Sequence, residues 1–182
     1  MFLIPSDYHT QISEKHLHQM IGGDETTLTK AELIAVEEMS NFLSIRYDVA
    51  AIFAPITEFS ASVIYPKHTR ISSTSTSGEV SLYRVVAQAT TSGASLTDTT
   101  QFLPGDTRNP LVVMCAVDIA LYHISAAVAT MQVPEVRASR YEAAKEWLKG
   151  INRGTITANL PLKETPITDR RQFGSVQKFR TR

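Results

Sequence analysis

Apolar residues in the first fifty positions recur at helical spacing. Leu28, Ala35, Met39 and Phe42 lie seven, four and three residues apart, which is one face of a helix. This predicts a helix from near Thr27 to about Arg46, with Glu32, Glu37 and Glu38 largely off that face. A shorter helix is expected from Ser6 to Met20. Ser6 or Asp7 can accept from its first backbone N–H groups, and Gly22-Gly23 stops it. From about Ala54 to Asp106 the pattern changes. "ISSTSTSG" is too polar for a core and poor in helix formers, whereas "EVSLYRVVAQATTSG" is rich in β-branched and aromatic residues. Two to four strands are expected here, based on hairpins.

Helical spacing then returns. Asn109 is a natural cap and Pro110 suits the first helical position, where a missing N–H costs nothing. The apolar run "NPLVVMCAVDIALYHISAAVATM" predicts a central helix reaching about Met131. It is long enough to raise the question of a membrane span. Asp118, His123 and the small residues Ala126, Ala127 and Ala129 favour a buried central helix instead, so no membrane association is expected. Pro134 opens a further helix, along which Val136, Arg140, Ala143 and Trp147 form one stripe. Tyr141, Ala144, Leu148 and Ile151 form the next, and Gly150 or, in preference, Gly154 is the expected stop. The chain is therefore read as mainly α: a small bundle of about four helices, a β-hairpin-rich insertion and an extended C-terminal arm. The helical core takes residues 1–54 and 107–156, the insertion 55–106, and the arm 157–182.

Charge refines this picture. The 182-residue chain is neutral overall, with 18 Lys plus Arg and 18 Asp plus Glu. Its last twenty residues nevertheless carry +4, so the remainder carries −4. Neutrality argues against wrapping a nucleic-acid backbone, whose affinity comes from neutralised phosphates. The basic tail also holds Phe173 and Phe179. A segment of this kind suits docking on a partner and ordering there. The only cysteine is Cys115, which excludes an internal disulfide and a cysteine-based zinc site. The N-terminus lacks a basic leader region and meets Pro5 and Asp7 early, so it is not read as a signal peptide. Cytosolic folding is the expectation.

Candidate chemistry is sparse. His16 and His18 are two apart and diverge on a helix, and His9 and His16 have no evident carboxylate companion. There is no nucleophile elbow, no glycine-rich phosphate loop and no paired-histidine zinc motif. No catalytic residue, metal or cofactor is assigned, and the chain is not read as an enzyme. Asp118 remains. A carboxylate in an apolar helix costs several kcal/mol unless paired. Its cation must come from a neighbouring helix, with Arg46, Arg137 and Arg140 as candidates. The expected structural ion pair is Arg46 with Asp118.

Three stretches carry a resemblance. "NFLSIRYDVA" (41–50), "PLVVMCAVDIALYHISA" (110–126) and "VRASRYEAAKEWLKGINRG" (136–154) are similar, in order, to the Mu-like tailed-phage family of head–tail connector proteins. The resemblance implies a small helical subunit that forms a ring, commonly of twelve copies, beneath the portal of the capsid. Such a ring joins the portal to the tail-proximal neck or tail protein and extends the channel through which DNA passes without sequence-specific binding. It implies a virion protein of the neck, assembled in the bacterial cytoplasm. Arg46, Tyr47, Asp118, Tyr122, Arg140, Tyr141 and Trp147 match the motifs and are assigned to core and helix registry. Arg170, Arg171, Phe173, Lys178, Phe179 and Arg180 are the expected portal-docking arm. The insertion departs from the family pattern. It supports an alternative, a non-enzymatic module whose β-insert recognises a protein or glycan on a helical scaffold. A third reading is a nucleic-acid binder acting through the tail.

Overall fold

A computed structural model describes residues 1–127 and 132–163. Among these residues there are six helices and a four-stranded sheet. The helices are α1 (Pro5–Tyr8), α2 (Glu14–Met20), α3 (Glu25–Leu43), α4 (Val49–Ile52), α5 (Pro110–Ala127) and α6 (Glu135–Arg153). The strands are β1 (Ile56–Glu58), β2 (Arg70–Thr74), β3 (Val80–Val85) and β4 (Phe102–Pro104).

Three long helices form the main core, because each presents an apolar face to the other two. Ala31, Ala35, Met39 and Leu43 of α3 are buried against Cys115, Ala116, Ile119 and Ala120 of α5, and Ala144, Leu148 and Ile151 of α6 complete the cluster. Alanines at the α3–α5 contact let the two backbones approach closely. α5 is apolar all round its buried turns, as a central helix should be. Its 18 residues have a mean hydropathy of 1.7, long and apolar enough to cross a membrane, and 56% of the stretch is buried within this fold. The N-terminal residues Phe2, Leu3 and Tyr8 add to the same core.

Local chemistry sets the boundaries. Asn109 caps α5, accepting from the backbone N–H groups of Leu111 and Val112 at 3.0 and 3.3 Å. α6 ends at Gly154, whose φ of +79° is the left-handed conformation that spares a glycine the Cβ penalty. The expected single helix over Ser6–Met20 is instead two, because Ser13 turns the chain and caps α2 through His16 N–H. α3 begins earlier than expected, at Glu25, because the Asp24 carboxylate accepts from Thr26 N–H at 2.9 Å.

The expectation of a mainly α, four-helix bundle is corrected by the structure. Among the described residues, helix accounts for 45% and strand and bridge residues for 13%, which makes the fold an α/β mixture with six helices and a mixed sheet. The reason lies in the middle of the chain. Residues there do not merely decorate the bundle; they build a second core from Tyr65, Ile71, Val85 and Phe102, with Phe59, Tyr83 and Leu96 against it. The polar "ISSTSTSG" stretch contributes β2, because its single aliphatic, Ile71, is fully buried while Ser72 and Ser73 are half-buried and Thr74 is exposed. β2 and β3 pair antiparallel across a turn at Gly78, and β4 pairs antiparallel with β3. β1 pairs parallel with β2, so the sheet is not purely hairpin-based. One short helix, α4, was absent from the expectation; a four-residue helix leaves too little periodicity to read.

Arg70 ties the sheet to the helical body. Its guanidinium donates to the carbonyls of Ala51, Ile52 and Ala54 at 3.1, 3.0 and 2.9 Å, satisfying backbone acceptors at the end of α4.

Candidate functional site

Asp118 lies on α5 and is buried. The cation facing it is Arg140 of α6, with Nη1 3.5 Å from Asp118 Oδ1, and not Arg46. This corrects the expected pairing. Arg46 follows the end of α3 and is exposed. Its guanidinium lies over Gly154, where an added Cβ would collide with it. The α6 stripe carries Arg140 onto the α5 face, whereas Arg46 sits at the far end of α3, beside the chain that leaves α6.

The Asp118–Arg140 contact is a loose one. Asp118 Oδ1 is buried without a hydrogen-bond partner. Arg140 instead donates to Gln11 Oε1 at 2.7 Å, and Arg137 donates to the Gln11 carbonyl at 2.9 Å. Burial raises the Asp118 carboxyl above its usual range, and the Arg140 charge only partly offsets this. The pair therefore positions α6 and the α1–α2 turn around α5 without fully compensating the carboxylate. Cys115, one turn earlier, has its thiol pushed up to about 12, by burial first and by Asp118 second, which makes it an inert packing residue.

A second polar cluster joins the same helices. Glu38 of α3 accepts from Tyr141 Oη at 2.9 Å and lies 3.2 Å from His123 Nε2. Tyr141 stacks on Tyr122 with centroids 3.9 Å apart and planes 4° from parallel. Lys145 Nζ stands 4.7 Å from the Tyr141 ring centroid. Of the residues matching the connector motifs, Tyr122 and Tyr141 meet here, Asp118 and Arg140 meet above, and Trp147 packs partly buried against the core. Tyr47 is buried, with its hydroxyl 3.3 Å from both the carbonyl and the N–H of Ala158.

The strongest polar node was not foreseen. Arg108, just before the α5 cap, is buried and donates to Asp7 at 2.6 and 2.9 Å. It also donates to Asp106 at 2.8–3.1 Å and to the Phe2 carbonyl at 2.9 Å. Its charge lies 5.6 Å from the Phe2 ring centroid. This one guanidinium holds the N-terminal segment, the loop leaving the sheet and the start of α5 together. The pattern "D-T-R-N-P" carries a local Asp–Arg pair, but Asp7 is a hundred residues away and no periodicity links them.

Glu32 was placed off the buried face of α3, yet it is buried. Tyr8 Oη donates to its Oε1 at 2.8 Å, while Oε2 has no partner. Burial raises its carboxyl to about 7, and the Tyr8 hydrogen bond opposes only part of that rise.

A cleft of about 780 Å³ opens beside Gln11, Ile12, Met20, Ser125 and Arg137. Asp118 is not among its lining residues. Among the described residues, no three His, Cys, Asp or Glu side chains converge as a metal site. The expected portal-docking residues Arg170, Arg171, Phe173, Lys178, Phe179 and Arg180 lie outside the described residues.

Comparison with protein-family models, curated proteins and solved structures returns no match.

Proposed function

We propose that this chain is a structural subunit of a tailed-phage head–tail connector, a non-enzymatic ring that joins the portal to the neck or tail and extends the DNA channel. One observation carries the reading. Six of the seven residues behind the resemblance are spent on holding the helical body together: Asp118 against Arg140, Tyr122 on Tyr141, Tyr47 against Ala158, and Trp147 on the core. A ring subunit needs such a rigid body, faces for identical neighbours, and a segment that reaches along the axis. The basic tail with Phe173 and Phe179 is the proposed portal contact, and the neutral total charge suits a channel wall that does not grip DNA. In this reading the protein assembles in the bacterial cytoplasm and resides in the virion neck.

Mass measurement and negative-stain imaging of the chain, alone and with portal rings, test the proposal. Annular particles, on their own or stacked on the portal, are expected. A chain that stays monomeric beside portal rings refutes it. Removing residues 163–182 should abolish portal association. If the tail serves nucleic acid instead, that deletion abolishes salt-sensitive DNA binding and leaves portal association intact.

The alternative, a binding module acting through the β-insert, has one observation in its favour. The insert owns a separate core and exposes Val63, Ile64 and Leu103. Affinity of a monomer for a protein or glycan, lost on changing Val63 and Ile64 to serine, would select it.

A further inference from the structure

The outward face of α3 carries an apolar band that nothing among the described residues covers. Leu33 and Ile34 are 62% and 48% exposed, and Ile45, just past the helix end, is 66% exposed. Leu33, Ile34, Glu37, Glu38 and Asn41 line a shallow groove of about 540 Å³ on this face. The positions recur three, four and seven residues apart, so they form one stripe, roughly 18 Å long from Leu33 to Ile45.

The described chain ends at this stripe. Lys163 donates its backbone N–H to the Arg46 carbonyl at 3.0 Å, and its ammonium lies 3.5 Å from the Ser44 carbonyl. Leu162, 71% exposed, bridges to Tyr47. The next residues therefore start beside the C-terminal end of α3, continuing the apolar band through Leu162 and Ile45. They also have the matching chemistry. Residues 164–182 carry Arg170, Arg171, Lys178, Arg180 and Arg182 with Phe173 and Phe179, against a body of opposite net charge and a groove flanked by Glu37 and Glu38.

Reach is sufficient. Phe173 is ten residues past Lys163, which allows up to roughly 33 Å, and Ile34 lies about ten helical residues, or roughly 15 Å, from Ser44. Phe173 and Phe179 are six residues apart, so they can span up to roughly 20 Å, comparable with the length of the stripe.

We propose that the α3 face Leu33–Ile34–Glu37–Asn41–Ile45 is the docking surface for residues 164–182 of the same chain in the unassembled protein. The phenylalanines occupy the apolar positions, and the cations lie along Glu37, since Glu38 is already engaged by Tyr141 and His123. The inference does not depend on the connector reading. If the tail does meet a portal, it leaves this face first and exposes an apolar stripe at the moment of assembly.

The test uses the full chain without a portal. A photo-crosslinking benzoylphenylalanine replaces Phe173, and the products are mapped by mass spectrometry. Cross-links to residues 33–45 within one chain are expected. L33S/I34S, at exposed positions that leave folding intact by circular dichroism, should lower their yield by about tenfold or more. Glu37→Lys should lower it as well, and added salt should weaken the contact. Cross-links to other peptides, cross-links between isotopically distinguished chains, or a yield unchanged in L33S/I34S would overturn the proposal. Loss of portal binding in a separate assay leaves this result untouched, so the two readings fail independently.

Discussion

Replacing Arg108 by methionine tests what holds the N-terminal segment to the sheet and to α5. The side chain is 1% exposed, and its two carboxylate partners differ in how well water can replace it. Asp106 is 43% exposed and resolvates readily, so losing that contact costs little. Asp7 is 9% exposed. Without Arg108 it keeps the hydrogen bond from Ile4 N–H at 2.8 Å but loses the only ion-pair partner it has among the described residues. Removing one member of a buried pair costs about 3–5 kcal/mol, because the other charge stays buried and uncompensated. The Phe2 carbonyl also loses its donor, which adds about 1 kcal/mol. Arg108→Met is expected to lower unfolding free energy by about 4–6 kcal/mol in urea titrations at pH 7, roughly 8–24 °C in melting temperature for a chain of this size. The second arm is decisive. D7N/R108M should recover roughly half of that loss, since an uncharged amide no longer needs the guanidinium. A single-variant loss under about 1 kcal/mol, or a double variant no better than Arg108→Met alone, would refute the argument.

Glu32 gives a pH signature. Its folded carboxyl lies near 7 against an unfolded value near 4.5, so the folded state holds an extra proton between those limits. Its contribution to stability is fully present below about 4.5 and is lost as pH rises to about 7. Glu32→Gln should flatten that window and stabilise the protein above pH 7 by on the order of 2 kcal/mol, read from urea midpoints across pH. Carboxyl titration by NMR checks the Asp118 assignment: Arg140→Ala should raise the Asp118 midpoint further, while Arg46→Ala leaves it where it is. Gly154→Ala should cost about 1–2 kcal/mol, because φ is +79° and the new Cβ meets the Arg46 guanidinium; G154A/R46A should recover only the collision, not the backbone strain.

Much of the helical framework was legible. The spacing of Leu28, Ala35, Met39 and Phe42 is the period of α3, Asn109-Pro110 marks the start of α5, and Gly154 marks the end of α6. These signals are local, so one sequence suffices. The fold class was misjudged because the weight of the middle segment depends on a second core, and that core forms only when Tyr65, Ile71, Val85 and Phe102 meet across three turns. Ile71 illustrates the difficulty: one aliphatic in a run of serines and threonines reads as a loop, yet it is the centre of a sheet face. The interhelical partner of Asp118 was narrowed to three arginines, but choosing among them required the rotation of α6 about its axis. Arg108 was missed because its buried partners, Asp7 and the Phe2 carbonyl, lie at the far N-terminal end of the chain, where no spacing rule operates.

Cryo-electron microscopy of the full chain incubated with portal rings tests the assembly reading most directly. A closed ring of copies, coaxial with the portal and touching neighbours through faces of the helical body, is the predicted image. A single copy bound at one site, or copies joined to one another solely through β1–β4, would contradict it.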